Sequence, residues 1–243
     1  MRAIRIECFQ NMANYRKPTS FTIKESYPLP PYSTVIGMIH SACSFKTYHP
    51  MKISVQGTNT GRIFEMYTRY TFAKGVTYEE GRHNLKIKDN KDYGAFRGIG
   101  YVELILNNKM ILHIIPENPE EIAVITDGLK HPEKYVSLGR YEDLLDITNI
   151  EEVELKKLDE TTCKNEIYVP VKNIVEYPDD DFEIHMDNLD ATVYILNKEF
   201  EITKKSGRRW KADTGKVKTI YCSSGTYMED VLTDKHGDVA VFA

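Results

Sequence analysis

Hydrophobic and polar residues alternate with a period of two over the first ten positions, MRAIRIECFQ. This period predicts a β-strand with one buried face, formed by Ile4, Ile6 and Cys8. After the proline-rich stretch at residues 28–31 the apolar residues change to helical spacing, and proline itself cannot continue a helix. The pattern therefore predicts a helix from about Thr34 to Phe45.

The start of this helix combines a proline stop with an incomplete cap. Ser33 or Thr34 is the predicted N-cap, because both residue types accept hydrogen bonds from first-turn amides. No Glu or Gln follows three positions after either residue, so the reciprocal half of a capping box is missing. The sequence therefore predicts free first-turn amides, which attract phosphate together with the helix dipole.

Stretches rich in β-branched and aromatic residues predict further strands. Asn107-Asn108 separates two of these strands and predicts a tight hairpin turn. The remaining predicted elements are strands at Lys52 to Thr58, Arg62 to Phe72, Tyr101 to Leu106 and Met110 to Ile115, and a helix at Pro119 to Leu129. The segment 75–98 interrupts this pattern with glycines and alternating charges, which predicts a projecting hairpin or a flexible loop.

The region beyond residue 150 is less regular and predicts a β-rich extension. Its candidate strands are Glu152 to Leu158, Ile167 to Val171, Asp181 to His185, Ala191 to Leu196 and Val217 to Cys222. We predict an α+β fold with one domain at residues 1–150 and the extension at residues 151–243, with an approximate boundary. The pattern alone allows several α+β topologies.

Composition limits the class of protein. With 243 residues and 41% hydrophobic residues, the chain can bury a sizeable core. No run approaches the roughly 18 apolar residues of a membrane span. The start lacks the apolar core of a signal peptide, so a cytoplasmic location is expected. The four cysteines, at positions 8, 43, 163 and 222, form no CxxC pair, which argues against a zinc site or a disulfide framework and predicts reduced core thiols.

Charge is distributed unevenly along the chain. Residues 1–100 contain 15 Lys and Arg against 7 Asp and Glu, whereas residues 101–243 contain 17 against 29. RNA is therefore expected on the N-terminal part, since phosphate neutralisation supplies most sequence-independent affinity. The acidic part is better placed against protein or solvent. The basic segment 198–218, which contains Trp210, is a second candidate contact, with a solvated loop as the alternative.

Two ordered motifs resemble a known protein family. The first, at residues 15–37, reads YRKPTSFTIKESYPLPPYSTVIG, and the second, at residues 136–143, reads VSLGRYED. They are similar to the "TYPLPPPST…G" opening and the "YLGRSE" segment of the fifth-named Cas family of CRISPR-associated RAMP proteins. The chain resembles the type I-B members of that family most. The two motifs cover only a small part of the chain.

The resemblance implies a ferredoxin-like (RRM/RAMP) domain with an inserted thumb hairpin, which presents a sheet face or loops to single-stranded RNA. It also implies a subunit of a type I Cascade complex that binds the 5′ handle of the CRISPR RNA (crRNA). Its expected partners are the crRNA, the backbone-forming Cas subunit and the large PAM-recognising subunit, and no cofactor is expected. The candidate RNA-binding residues in the two motifs are Tyr15, Arg16, Lys17, Ser20, Tyr27, Ser33, Thr34, Gly37 and Arg140.

The segment 75–98 is the candidate for the thumb, which in this family wedges at a kinked guide nucleotide. The candidate phosphate contacts in this segment are Arg82, Lys86, Lys88, Lys91 and Arg97, and the candidate stacking residues are Tyr93 and Phe96. An ordinary charged surface loop is the alternative interpretation.

Gly37 and Arg140 each have a structural alternative. Gly37 allows close approach of the helix to RNA or close packing of the helix on the sheet. The guanidinium group of Arg140 is suited to clamping a phosphate or to an internal pair with Glu142 or Asp143.

Catalysis is the main functional alternative. Metal-independent RNA cleavage, as in type I-C members, needs a base for the 2′-hydroxyl and an acid for the leaving oxygen. The chain has seven histidines, but no spacing identifies a catalytic pair, and we predict structural roles for His40 and His113. We therefore expect a non-catalytic protein, with an endoribonuclease or a stand-alone single-stranded RNA-binding module as alternatives. The run Asp179-Asp180-Asp181 predicts a solvated turn rather than a metal site.

Overall fold

The computed structural model describes residues 1–174, 192–203 and 207–243, which form mostly β-structure with two α-helices. The N-terminal part contains β1 (Arg2–Ala13), α1 (Tyr32–Ala42), β2 (Met51–Thr58), β3 (Gly61–Thr77), β4 (Leu85–Lys88), β5 (Asp92–Pro116), α2 (Glu121–Lys130) and β6 (Asp146–Glu154). The C-terminal part contains β7 (Lys156–Thr162), β8 (Glu166–Pro170), a 3₁₀ turn (Val171–Asn173), β9 (Thr192–Asn197), β10 (Phe200–Thr203), β11 (Gly207–Trp210), β12 (Lys216–Cys222), β13 (Tyr227–Thr233) and β14 (Val239–Ala240). The predicted strand at Asp181 to His185 and the run Asp179-Asp180-Asp181 lie outside the described residues.

One large antiparallel sheet runs through both parts of the chain. Its strand order is β6-β1-β5-β2-β8-β12-β9, and β3 and β4 also pair with β5. β2 joins β8 at Gln56 and Gly57. Residues on either side of position 150 therefore share a sheet, and the predicted domain boundary stays a prediction.

The main hydrophobic core packs β1, β2 and β5 against the two helices. Ile4, Ile6 and Cys8 point into this core, which confirms the strand and the buried face predicted from the first ten residues. Tyr168 of β8 and Phe200 of β10 belong to the same core. The C-terminal part is therefore packed into the interior of the N-terminal part.

Helix α1 begins earlier than predicted, and the prediction of Ser33 or Thr34 as its N-cap is wrong. Pro31 precedes the helix with a ψ of 151°, and its carbonyl accepts a hydrogen bond from the Thr34 amide at 2.9 Å. Because Pro31 supplies the first helical carbonyl, Ser33 and Thr34 lie inside the first turn. No side chain among the described residues caps the helix, in agreement with the missing capping box.

The hairpin turn predicted at Asn107-Asn108 is wrong, because β5 continues through both residues. Two different strands pair with β5 on either side of this point: β3 begins opposite Leu106, and β2 ends opposite Lys109. Asn107 absorbs the change of partner with a φ of 49°. Asparagine tolerates this left-handed conformation better than most residues, so the local signal for a turn marks a kink instead.

β3 and the first half of β5 form a two-stranded arm, residues 61–106, that leaves the sheet. The predicted segment 75–98 is the distal part of this arm, where β4 adds a short third strand to β5. Phe64, Met66, Phe72 and Ile99 are each more than half exposed. The described residues of the arm therefore leave a large apolar surface uncovered.

A buried polar cluster lies between the sheet and the C-terminal residues 234–243. Arg5 of β1 pairs with Asp234 at 2.7 Å and with Asp238 at 2.6 Å, and Nε2 of His113 lies 3.1 Å from Asp234. The Val241 amide donates to the Ser54 hydroxyl at 3.0 Å. These contacts fix the end of the chain on the face of the sheet that bears Arg5.

All four cysteines are free thiols, and the prediction that most of them lie in the core is confirmed. Cys8, Cys163 and Cys222 are buried, and Cys43 is half-buried. Burial raises the pKa of Cys8 to about 12 and that of Cys43 to about 11. Within the described part of the chain, no helix has the length and apolar character needed to cross a membrane.

Candidate functional site

A cavity of about 440 Å³ brings the two sequence motifs together. One side is the exposed surface of α1, and the other is the loop between α2 and β6 with β11 beside it. The residues that identify it are Ser33, Thr34 and Gly37 of the first motif, Ser137 and Gly139 of the second, and Trp210 of β11. Three of the predicted site residues therefore line one concave surface.

Gly37 faces this cavity rather than the sheet. A Cβ atom placed on Gly37 would meet no heavy atom within 4 Å. Close packing of the helix on the sheet is therefore the wrong interpretation of this glycine. Its effect is to leave the wall of the cavity without a side chain at the centre of α1.

Gly139 shapes the opposite wall, and here the conformation requires glycine. Its φ is +112°, and a Cβ atom would lie 2.9 Å from both the Asn14 carbonyl oxygen and the Asp143 carboxylate. The second motif thus approaches the backbone that leads into the first motif. Asp143 holds this contact because its carboxylate accepts hydrogen bonds from the amides of Asn14 at 3.0 Å and Arg140 at 2.8 Å.

Arg140 forms the internal pair that the sequence left as an alternative. Its guanidinium group contacts the Asp143 carboxylate at 2.6 Å and the Glu142 carboxylate at 3.1 Å. Partial burial acts to lower the pKa of Arg140, but the hydrogen bonds to Asp143 and the nearby carboxylate charges together raise it above the usual value. The side chain is 27% exposed, and its ion pairs stabilise the loop formed by the second motif.

Tyr15 is not available to a ligand, so its prediction as an RNA contact is wrong. Its side chain is 2% exposed in the main core. Its hydroxyl donates to Gln10 at 2.5 Å and accepts from Asn108 at 2.9 Å. Burial raises the pKa of this hydroxyl well above its usual value. An aromatic residue beside a basic pair suggests a surface contact, but β1 ends here and turns Tyr15 inward.

The next residues of the first motif differ in solvent exposure and in their contacts with neighbouring side chains. Arg16 is exposed, whereas Lys17 is half-buried and lies 3.8 Å from the Glu25 carboxylate. The Ser20 hydroxyl accepts a hydrogen bond from the Glu25 amide at 3.0 Å, which closes the loop between them. Among these predicted contacts, Arg16 presents the more exposed cation.

Tyr27 belongs to a cluster of tyrosines that ties the first motif to the C-terminal strands. Its ring meets the edge of Tyr194 at 5.4 Å, and Tyr168 lies 6.4 Å from Tyr194. The Tyr168 hydroxyl donates to the Leu29 carbonyl at 2.8 Å. Tyr27 is half-buried, so most of its role in this structure is to hold the proline-rich turn. Local patterns could not reveal this contact, because Leu29 and Tyr168 are 139 residues apart.

The predicted contacts in the distal arm form a separate group and do not line the cavity. Arg82 pairs with Glu79 at 3.1 Å, and Lys86 pairs with Asp92 at 2.7 Å, which raises the pKa of Lys86. Lys88 and Arg97 are exposed. Among the residues that the structure describes, these two side chains have no ion pair, and Lys88 is the matched counterpart of the paired Lys86 on the same short strand.

The basic segment 198–218 contributes Trp210 to the cavity, and the exposure and pairing of its basic residues differ from one residue to the next. Trp210 lines the cavity, whereas Lys198 is buried and Lys211 pairs with Glu199 at 2.8 Å. Arg209 is exposed. Residues 204–206 lie outside the described residues. Lys134, Tyr135 and Ser137 line the cavity together with Trp210, and no local pattern predicts this, because no periodic signal marks the loop after α2.

The described histidines are mostly engaged within the protein. His40 and His113 are buried, as expected for histidines with structural roles, and His83 is also buried. His49 stacks on Phe45 with ring centroids 3.8 Å apart and contacts the Glu121 carboxylate. Within the described ranges, no group of three or more His, Cys, Asp or Glu side chains is placed to hold a metal ion.

Comparison with known proteins identifies the family. The family model described as "CRISPR-associated protein (Cas_Cas5)" matches residues 3–207. No curated protein sequence matches the chain.

Two solved structures match most of this chain. A chain of a "CRISPR RNA-guided surveillance complex" has a TM-score of 0.54 and 12% sequence identity, covering 97% of this chain and 92% of that chain. A CRISPR protein from Archaeoglobus fulgidus has a TM-score of 0.46 and 10% identity, covering 99% of this chain and 98% of that chain. The likeness to the first structure indicates a shared fold, and the family match extends over most of the sequence. The chain therefore belongs to the CRISPR-associated protein family Cas_Cas5.

Proposed function

We propose that this protein is a non-catalytic subunit of a type I Cascade complex, closest to type I-B, that holds the 5′ handle of the crRNA. The observation that carries this proposal is the cavity in which α1 of the first motif meets the loop of the second. In this proposal the protein caps one end of the assembly through contacts with the backbone-forming subunit and the large PAM-recognising subunit.

The topology of the sheet supports a ferredoxin-like core. The elements β1, α1, β2, β5, α2 and β6 follow one another along the chain, and their four strands lie in the order β6-β1-β5-β2. The arm is inserted between β2 and the sheet portion of β5, where the sequence placed the thumb. We assign the arm as that thumb, with Lys88 and Arg97 as its exposed cations for the RNA backbone.

The chemistry of the cavity suits a phosphate-containing ligand. The first turn of α1 has no side-chain cap, Ser33, Thr34 and Ser137 offer hydroxyl groups, and Lys134 supplies a positive charge. Gly37 leaves room for a backbone to approach the helix. A ligand that fits both these features and the CRISPR-associated family of the chain is the single-stranded 5′ end of a guide RNA.

The burial of three described histidines supports a binding role rather than RNA cleavage. Three described histidines are buried, and the more exposed His49, His131 and His236 each contact a carboxylate. A general base must reach the 2′-hydroxyl of its substrate. Burial keeps His40, His83 and His113 from that hydroxyl, and we assign none of the six side chains to catalysis.

The test is a binding measurement on the purified full chain in EDTA. Labelled single-stranded RNA with the repeat-derived 5′ handle is compared with a scrambled RNA of equal length, and the products are resolved on a denaturing gel. We expect preferential binding of intact handle RNA. The Arg16→Ala variant should bind more weakly, whereas Lys157→Ala, on a strand away from the cavity, should bind like the wild type.

The same experiment separates the alternatives. Cleavage at one position in EDTA would replace the proposal with a metal-independent endoribonuclease. Equal affinity for handle and scrambled RNA would favour a stand-alone single-stranded RNA-binding module. Co-expression with guide RNA and the other Cas subunits tests the capping role, which would be contradicted if the assembled particle excluded this chain.

A further inference from the structure

Trp210 is the only tryptophan in the chain, and it stands at the cavity with its side chain 40% exposed. Tyr135, 91% exposed, lines the same cavity from the loop after α2. Large aromatic rings are usually buried because they carry much apolar surface. Two exposed rings beside one concave surface therefore indicate a place where a planar ligand is received.

The indole of Trp210 is held in place from behind. Trp210 pairs with Phe200 across β10 and β11, and their rings meet edge to face with centroids 6.5 Å apart. Phe200 is buried in the main core and contacts Tyr48 at 5.0 Å. The tryptophan therefore has a rigid support on its inner side and solvent on its outer side.

The surroundings of Trp210 favour an anionic ligand. Lys134 is exposed and lines the cavity together with Trp210. Lys211 follows Trp210 directly and is fixed by Glu199, which also accepts a hydrogen bond from Thr214 at 2.7 Å. An aromatic face beside the cation Lys134 matches a nucleobase joined to phosphates, as in single-stranded nucleic acid.

We propose that Trp210 is a stacking platform for one unpaired base of the RNA that the cavity holds. This inference rests on the proposed function and adds to it the residue that receives a base, while the first turn of α1 and Lys134 face the backbone. Because every base has a π-face, the platform recognises the unpaired state more than the sequence. Stacking on one aromatic residue contributes about tenfold or more to affinity.

The sole tryptophan makes the proposal directly measurable on the full chain. Intrinsic emission of Trp210 is followed while unlabelled repeat-derived single-stranded RNA is added, and fluorescein anisotropy of the same RNA gives the affinity independently. We expect quenching that saturates with the anisotropy curve, because a base stacked on indole quenches its emission. A fully paired duplex of the same sequence should not quench.

Three variants complete the test. Trp210→Phe keeps a ring and should retain most of the affinity, whereas Trp210→Ala should lose about tenfold. Tyr227→Ala removes an exposed aromatic residue of β13, which does not line the cavity, and should leave the affinity unchanged. The wild-type quenching and the Phe variant keep the test valid if Trp210→Ala unfolds.

The outcomes distinguish this inference from the proposed function. RNA binding by anisotropy without quenching, together with full affinity of Trp210→Ala, would overturn the stacking platform and leave handle binding intact. An equal loss in Trp210→Phe and Trp210→Ala would also overturn it, because stacking tolerates the change to Phe. No RNA binding by anisotropy would contradict both proposals.

Discussion

Gly37 and Gly128 are both inside helices, yet their surroundings are opposite. A Cβ atom on Gly37 would enter open space, whereas one on Gly128 would lie 2.7 Å from the Sγ of Cys43. From the sequence alone, the two glycines cannot be told apart. Only the packing of α2 against the end of α1 distinguishes a residue that shapes a cavity from one that allows close helix contact.

The first prediction follows from this difference. Gly37→Ala should raise the free energy of unfolding by up to about 1 kcal/mol, because alanine is the better helix former and meets no neighbour. Gly128→Ala should lower it, because the new methyl group collides with Cys43. Urea denaturation followed by circular dichroism measures both. Destabilisation by Gly37→Ala would show that α1 packs more tightly at this point than the structure indicates.

The second prediction concerns Asp234 in the buried polar cluster. Burial acts to raise its pKa, but the hydrogen bonds from His113 and from the backbone amides of Asp238 and His236 lower it well below the usual value. Asp234→Asn leaves Arg5 with one fewer counter-charge and should destabilise the fold by about 3–5 kcal/mol. Asp230→Asn, which disturbs only an exposed pair with Lys157, should cost at most about 1 kcal/mol.

The lowered pKa also fixes the pH dependence. A carboxylate whose pKa is lower in the folded state stabilises fully above its unfolded pKa, about 3.9 for Asp. Its contribution is lost as the pH falls, beginning at about pH 5. The difference in unfolding free energy between wild type and Asp234→Asn should therefore shrink as the pH is lowered from 6 to 3. A constant difference over that range would contradict the assigned hydrogen bonds.

At the scale of secondary structure, local patterns predicted the existence of elements better than their ends. The alternation in β1 and the β-branched and aromatic runs in β2 and β3 identify these strands, because such residues are enriched in extended structure. The prediction of Ser33 or Thr34 as the N-cap of α1 was wrong because Pro31 occupies the N-cap position and supplies the first helical carbonyl. The prediction of a turn at Asn107 was wrong because a change of partner strand has no local signature in the sequence.

The third prediction tests the arm as a proposed RNA contact. Lys88→Ala should weaken binding of handle RNA and reduce the slope of log affinity against log salt by about 0.7, the value for one phosphate contact of a single strand. Lys86 lies on the same four-residue strand, β4, but is already paired with Asp92. Lys86→Ala should therefore have the smaller effect on affinity and slope. Affinity and slope are measured by anisotropy at several salt concentrations.

For the arm, equal affinities and slopes in both variants and the wild type would mean that these cations do not contact RNA. Circular dichroism of the two variants provides the control for folding. Both side chains are exposed, so little change in stability is expected.

At the scale of the whole molecule, the site depends on contacts that no local pattern contains. The sequence motifs located Ser33, Gly37 and Gly139, because proline and glycine mark special backbone. The sequence did not reveal that Tyr168 holds Leu29 or that Trp210 reaches the cavity, since both come from the C-terminal part of the chain. Their positions follow from the shared sheet, which is fixed by long-range pairing.

The fourth prediction addresses the predicted boundary near residue 150. Because the main core contains residues from both parts, we expect one calorimetric transition whose van't Hoff and calorimetric enthalpies agree. Tyr168→Phe should lower the whole transition, since it leaves the Leu29 carbonyl without its hydrogen bond, at a cost of about 1–3 kcal/mol. Two separate transitions, with only one shifted by the substitution, would support independent domains instead.

The 25 residues of β5 are at once the central strand between β1 and β2 and one half of the arm. At roughly 3.3 Å per residue their contour length is about 80 Å. A force on the tip of the arm is therefore carried along one covalent strand, past the kink at Asn107, into the middle of the sheet. We therefore expect a displacement of the tip to reach the sheet that bears the cavity through this one strand.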